Sequence, residues 1–308
     1  MPSGASVLIC TRDRSEMLEE CLRSVLEGSL SASEVIVVDQ SRDEATRVAV
    51  CRYQGGKVPV RYLRGKGPGL SRAKNQGIAD CTSRIIAFTD DDCLVDREWM
   101  ARLVQPLLDG QAAATVGRTL AGEAEREGEA TFAVYAPDGA RVFSSRTHPW
   151  RVGGGGNFAV LREALLQVGP YDERFGPGSS LRSAEDMDMV HRLLRAGRGI
   201  AYVPEAVVHH RSWRNREDTR LLARGYGIGA GAYFTKYLLQ GDLLSGWRFV
   251  QRAGIRSLHL MSGILHADRR RMQDQSEYLV GLFEGAARFM THGRAGGAPL
   301  AALERRRI

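Results

Sequence analysis

The chain contains no run of about 18 apolar residues, so nothing in it reads as a membrane-spanning helix. Cysteine is scarce. The five in 308 residues, Cys10, Cys21, Cys51, Cys81 and Cys93, all lie in the first third, and none forms a C-x-x-C pair. That spacing argues against a disulfide framework and against a zinc knuckle, and it points to a reduced, cytoplasmic compartment. The N-terminus, MPSGASVLIC, has no charged segment ahead of an apolar stretch, which argues against a secretory leader. Lysine is almost missing, with only Lys57, Lys66, Lys74 and Lys236 among 43 basic residues. Either genome composition or function accounts for that bias. No G-x-G-x-x-G follows the first apolar run, which weakens a dehydrogenase reading.

An ordinary apolar share of 43% argues against disorder, and the length suits one large or two small domains. The formal charge of +7 is unevenly spread. Residues 1–210 hold 26 basic and 28 acidic side chains, whereas residues 211–308 hold 17 and 8. A nucleic-acid-binding protein would carry the excess on its core domain as well.

The apolar pattern alternates between strands and helices. SVLIC (6–10) and VIVV (35–38) read as buried strands around a helix at 15–28, with Ser15 as its N-cap candidate and Gly28 at its end. A second unit follows: a strand near Val60–Leu63, a helix over 71–79 and a strand at 85–89. Such alternation predicts a parallel sheet covered on both faces, with ligands beyond the carboxyl ends of the strands. Further helices are predicted over 96–109, 161–168 and 184–196, the last closed by Gly197. A strand is predicted at 200–203 ahead of Pro204, and mainly helix from 216. Glu123, Glu125, Glu127 and Glu129 alternate with small residues, as in an exposed loop or edge strand, and the tail after Gly293 reads as frayed.

The chemistry concentrates at the strand ends. Asp90, Asp91 and Asp92 close an apolar strand. Three adjacent carboxylates repel one another, so they form either a site for an oxygen-loving cation such as Mg²⁺ or Mn²⁺ or a solvated acidic turn. Asp39 ends the second strand and can accept from a base or a ribose hydroxyl. Thr11-Arg12-Asp13-Arg14 follows the first strand, and Gly65-Lys66-Gly67-Pro68-Gly69 opens a helix bearing Arg72. Both suit phosphate. Glu185-Asp186 is either an acid–base pair or a helix cap. His209-His210 is either a metal ligand with a free ring nitrogen or a turn. Trp150 stacks either on a sugar ring or in a core.

The ordered stretches SVLICTRDR, VIVVDQSRDE, GPGLSRAKNQGI, IIAFTDDD, GGGGNFAVLREALLQVGPYDERFG, AEDMDMVHRLLRAG and YVPEAVVHH resemble family 2 glycosyltransferases, over about residues 5–215. The resemblance implies an α/β fold of GT-A type, Rossmann-like, with a mostly parallel sheet between helices and a C-terminal helical region added. It implies that residues 1–115 bind the nucleotide-sugar, 116–215 supply the acceptor and catalytic half, and 216–308 form a separate basic region. Thr11, Arg12 and Asp39 would contact base and ribose. Asp90 and Asp92 would be the outer acids of the D-x-D signature, with Asp90 at the ribose and Asp92 at a Mn²⁺ or Mg²⁺ on the diphosphate, joined by His210. Lys74 stands in the family's A-R-N triplet as Ala73-Lys74-Asn75, with Arg72 beside it. Asp186 would be the general base, Glu185 the second choice, and Asp188 would orient Arg192 or a loop. Gly153–Gly156, with Gly155 and Gly156 foremost, and Asn157 would line the acceptor or donor-sugar side.

Two features depart from the family. Asp39-Gln40-Ser41 replaces the usual double acid and leaves the donor base open. The Q-x-x-R-W of processive synthases is missing, which favours single additions. The expected activity is inverting, metal-dependent transfer of a sugar from a nucleotide diphosphate to a glycan or lipid-linked acceptor. The alternatives are a nucleotidyltransferase and a non-catalytic sugar-nucleotide-binding or membrane-associated protein. Arg248, Arg252 and Arg256 recur every four residues, with Arg269-Arg270-Arg271 beyond. They form either a basic amphipathic helix for an anionic membrane surface, which would hold the protein peripherally on the inner face, or a packed helix with a solvated arginine face. The segment from Gly225 to Gly241 is either a helix packed closely against the catalytic domain or part of an acceptor lid.

Overall fold

The structure is a computed structural model that describes residues 4–122, 130–131, 134–211, 213–214 and 216–292. The alternating glutamates at 123–129 and the tail beyond 292 lie outside them. The chain opens with β1 (Ala5–Thr11), α1 (Ser15–Leu26), β2 (Glu34–Asp39), α2 (Ala45–Cys51), β3 (Val60–Arg64), α3 (Leu70–Asp80) and β4 (Ile85–Asp90). Then come β5 (Cys93–Val95), α4 (Trp99–Leu108), β6 (Ala114–Ala121), β7 (Ala130–Thr131), β8 (Arg141–Phe143), β9 (Asn157–Leu161), α5 (Arg162–Val168), α6 (Glu185–Arg195), β10 (Ile200–His210) and β11 (Trp213–Arg214). Three long helices finish it: α7 (Arg216–Leu239), α8 (Leu243–Leu265) and α9 (Arg269–His292).

Nine strands form one sheet in the order β3-β2-β1-β4-β9-β6-β10-β5, with β8 on β10. The runs β3-β2-β1-β4 pair in parallel, as β-branched strands buried on both faces should. Strand β9 enters antiparallel between β4 and β6. Register places Thr11 beside Asp39 and Cys10 beside Asp90, so the acids and hydroxyls of three strands leave the sheet at one edge. His210, at the end of β10, pairs with Cys93, just past the acid triplet.

Local details correct some expected boundaries. Ser15 is the first helical residue of α1, not its cap. Arg14 occupies the cap position without a side-chain bond, and the helix ends two residues before Gly28. The strand expected at 200–203 runs through Pro204 to His210, because an irregularity between Val203 and Val207 absorbs the missing amide donor. One hydrophobic core surrounds the sheet, and a second joins Phe175 and Leu181 to α7 and α9.

At 225–241 the helix packs closely in two directions: on the loop ahead of α6, within the half expected to be catalytic, where a β-carbon on Gly229 would stand 2.1 Å from Ser183 Oγ, and on α9. A β-carbon on Gly231 would stand 1.9 Å from the Leu282 carbonyl oxygen, and one on Gly285 would stand 1.9 Å from that of Ile228. The backbones of α7 and α9 therefore touch where only glycine fits. Among the described residues, no helix is long and apolar enough to cross a membrane.

Candidate active site

The middle acid of the triplet is structural. Asp91 accepts from the Thr11 hydroxyl at 2.7 Å and from Arg14 at 3.2 Å, and Arg14 also reaches Asp92 at 2.9 Å. Burial raises the Asp91 pKa against the opposing pull of Arg14. Arg14, not Arg12, is thus the guanidinium that neutralises the triplet. Arg12 is half-exposed beside Asp13. The sequence offered both arginines of T-R-D-R. The difference is that Arg14, at the cap position of α1, reaches Asp91 and Asp92.

The outer acids meet a mixed donor set. Asp92 lies 3.2 Å from His210 Nε2, and ligand atoms of Asp90, Asp92, Cys93 and His210 all fall within 4.8 Å of one another. Desolvation pushes Asp90 up to about 6; Lys74 opposes the shift and the Asp92 charge adds to it. Two carboxylates held together at such a cost, with an imidazole beside them, fit a divalent cation such as Mn²⁺ or Mg²⁺. Cys93 was missed in the sequence, where cysteines informed only the compartment. Its position next to D-D-D was the available signal. His209 points elsewhere, to Asp96 at 3.1 Å.

Asp39 is fully buried and accepts from the Ser41 amide at 2.7 Å, the Tyr62 hydroxyl at 2.8 Å and Arg64 at 3.2 Å. Gln40 donates to the carbonyls of Gly67 and Gly69 and so anchors the glycine loop. That loop packs against a second one: Leu70 donates its amide to Pro177, and a β-carbon on Gly178 would stand 3.0 Å from the Gly69 nitrogen. Arg72 pairs with Glu173 at 2.9 Å. Asn75 clamps Tyr171 by both backbone groups, at 2.8 and 2.9 Å.

Lys74 is only 3% exposed and bonds Asp186 at 2.8 Å. Burial disfavours its charge, but Asp186, Tyr171, Glu185 and Asp90 outweigh that and hold its pKa well above the ordinary lysine value. The other Asp186 oxygen accepts from the Gly155 amide at 3.0 Å. A β-carbon on Gly155 would fall 2.2 Å from Asp186, and one on Gly156 would fall 2.4 Å from Asp90. Two consecutive glycines therefore seat two carboxylates, one from α6 and one from β4. Glu185 is 6% exposed, and desolvation followed by the Asp186 charge raises it to about 8. At neutral pH it is mostly protonated.

Two expected site residues serve packing. Asn157 is buried. It accepts from Trp99 Nε1 at 2.8 Å and donates to the carbonyls of Arg118 and Ala206, so its amide locks β9 into the sheet rather than lining a cleft. Trp150 stacks on Phe234 at 5.3 Å between ring centroids and lies edge-on to Tyr233, so its ring is held by α7. Asp188 does hold Arg192, at 2.9 Å, and also accepts from Tyr237 and Lys236. Lys236 reaches Asp172 as well, at 2.9 Å, which ties α6 to α7 and to the loop before it.

The chain is similar to known proteins. The family model described as glycosyl transferase family 2 matches residues 6–169. A glucosyl-dolichyl phosphate glucuronosyltransferase of Haloferax volcanii is 27% identical over 225 residues, covering 69% of this chain and 71% of that protein. A pre-mycofactocin glycosyltransferase of Mycobacterium tuberculosis is 30% identical over 268 residues, covering 80% of this chain; the chain spans about half of that relative, 53%. A mannosyltransferase from Pyrobaculum calidifontis, solved with GDP-Man and Mn²⁺, shares the fold at a TM-score of 0.59. It is 17% identical, with 99% of this chain and 79% of that one covered. With its strand-end acids gathered at one sheet edge and the family model spanning just over half of its length, the chain belongs to glycosyl transferase family 2 and is a glycosyltransferase of GT-A fold.

Proposed function

We propose that this enzyme transfers a sugar, with inversion, from a nucleotide-diphosphate donor to a hydroxyl of a glycan or lipid-linked acceptor, and that Asp186 is its general base. The observation that carries the reading is the seating of Asp186 and Asp90 on the adjacent glycines Gly155 and Gly156. A group activated by Asp186 then attacks next to the acids of the D-x-D signature. The acceptor hydroxyl gives its proton to Asp186, its oxygen bonds the anomeric carbon, and the bond from that carbon to the diphosphate oxygen breaks. A single in-line displacement inverts the centre. Lys74 and the Gly155 amide hold the carboxylate in one orientation, so the reaction needs no reorganisation of its base.

Asp90, Asp92 and His210, with Cys93 adjoining, would hold a Mn²⁺ or Mg²⁺, which when bound offsets the charge on the departing nucleoside diphosphate. The Mn²⁺ and GDP-Man of the Pyrobaculum enzyme support this class of donor and metal. The dolichyl phosphate in the name of the Haloferax relative supports a lipid-linked acceptor. Residues 1–115 would serve the donor nucleotide, with Thr11, Arg12, Asp39, Arg72 and Lys74 around it, and Asp90, expected at the ribose, would join the cation group instead. Residues 116–215 would serve the acceptor, and 216–308 would form the attached helical region. Five free cysteines support a cytoplasmic setting, and the lipid-linked acceptor supports a peripheral position on the inner face of the membrane.

The test is a panel of nucleotide-sugars incubated with the protein and Mn²⁺, with release of nucleoside diphosphate as readout. Turnover of at least one donor, abolished by EDTA, is the expected result. Absence of turnover and of binding for every donor would sink the proposal.

A further inference from the structure

Helix α8 is turned opposite to the orientation a basic membrane helix requires. Its arginines face the protein. The Arg252 guanidinium lies 5.6 Å from the centre of the Trp150 ring, and that of Arg256 lies 4.1 Å from the centre of the Tyr278 ring and bonds Gln275 at 3.1 Å. Arg248 acts inward too. Burial, followed by the charges of Arg248 and Arg252, lowers the nearby His148 to about 4. Most of what α8 shows to solvent is apolar, with Gln251, Ser257 and His259 alongside. Leu243, Trp247, Val250, Leu258, Met261 and Leu265 follow one another at three- and four-residue steps or multiples of them, and all are exposed, Trp247 at 63% and Leu265 at 80%. One helix face therefore presents a row of exposed apolar side chains, the kind of surface that marks a protein or membrane interaction site.

We propose that this outward face of α8 is a docking surface for an anionic lipid bilayer, with its apolar stripe inserted at the headgroup boundary. The charge around the stripe favours that occupant. No acidic residue occurs within α8. At the α8–α9 turn, Arg269, Arg270 and Arg271 are all exposed. Of the acids of α9, Glu277 and Glu284 both pair with Arg224 of α7 and Asp274 is half-buried, while Asp268, in the turn, accepts from the Arg271 amide, so the three arginines leave the turn positive. Apolar side chains with a positive rim match anionic headgroups over acyl chains. A second copy of the chain matches poorly. Side by side, the arginine turns of two copies would stack on each other. The proposal rests on the reading of a membrane-linked acceptor and is independent of the transfer chemistry.

The test is flotation of the full chain with phosphatidylcholine vesicles, with and without phosphatidylglycerol. The wild type should float with the anionic vesicles, less so as salt rises, and Trp247 emission should shift to the blue. A double variant, Leu258→Asp with Met261→Asp, alters only exposed positions. It should lose about tenfold or more in vesicle binding while releasing nucleoside diphosphate from soluble donor at the wild-type rate. Replacing Arg269, Arg270 and Arg271 by serine should weaken binding to anionic vesicles alone. Wild-type protein that stays at the bottom of the gradient overturns the proposal, all the more so if it sediments as a dimer that the double variant dissociates. Normal donor turnover without flotation sinks the docking surface and spares the chemistry; flotation without turnover of any donor does the reverse.

Discussion

Lys74 and Asp186 stand 112 positions apart in the chain and 2.8 Å apart in space, and the candidate base is defined by that pair. Replacing Asp186 by asparagine keeps the shape and removes the proton acceptor. Transfer should fall by about 10²–10⁴-fold while donor affinity, read by calorimetry, stays near wild type. A variant that transfers normally would give the base to another group. Glu185 makes a separate prediction. Its pKa rises from 4.5 to about 8 on folding, so between those values the folded state holds a proton that the unfolded chain has lost, and stability falls as pH climbs through that window. Glu185→Gln carries no such proton. Its melting temperature should exceed wild type by a margin that grows from pH 5 to pH 8. A constant margin would mean that Glu185 is not buried as a neutral acid. At this scale the sequence was legible where motif spacing was local, as for Asp90 and Asp92, whereas His210, remote in the chain, was reached only through the family resemblance. It was silent where partners are remote. Nothing near Lys74 named Asp186, and nothing in N-F-A-V-L said that Asn157 would be spent on Trp99 and two carbonyls.

Helices and strands were legible as elements because apolar spacing is a property of one segment. Their partners were not. No strand is expected at NFAVL, after the glycine run, yet the structure places one there, antiparallel between β4 and β6. The four-residue repeat of Arg248, Arg252 and Arg256 says that they share a face, not which face turns inward. The glycines of α7 announced a close approach without naming α9, whose own Gly281 and Gly285 complete it. That interface makes a prediction. A methyl group on Gly231 has no room against the Leu282 carbonyl, so Gly231→Ala should force the backbones apart. It should cost about 1–3 kcal/mol in chemical denaturation. Gly254→Ala, on the open side of α8 with nothing within 4 Å, should be neutral or slightly stabilising, as alanine is the better helix former. Equal effects at both positions would refute the close contact.

For the whole molecule, charge and metal belong together. The acid triplet accumulates repulsion that Arg14 only partly offsets, so a divalent cation should stabilise the fold itself. Mn²⁺ at about a hundred times its dissociation constant should add about 2.7 kcal/mol of stability, readable as a rise in melting temperature that EDTA reverses. Asp92→Asn should lose most of that rise. A shift that is the same in the variant would move the metal away from the triplet. The split of net charge at residue 210 was visible from the start, but its meaning depended on packing. The C-terminal arginines spend much of their charge on Trp150, Tyr278, Glu277 and Glu284, and the surface they frame is apolar.

Burial sorts the four lysines into two kinds. Lys74 and Lys236 are inside, each pinned by carboxylates, whereas Lys57 and Lys66 are exposed in the loops at either end of β3, the edge strand of the sheet. Helices α8 and α9 contain no lysine. Among lysine side chains, amine-reactive reagents will therefore find only the β3 edge. A chip or bead coupled through lysine holds the molecule by that edge, and fluorescent esters label it there. The α8 face stays chemically untouched, ready for a vesicle or a partner to be presented to it.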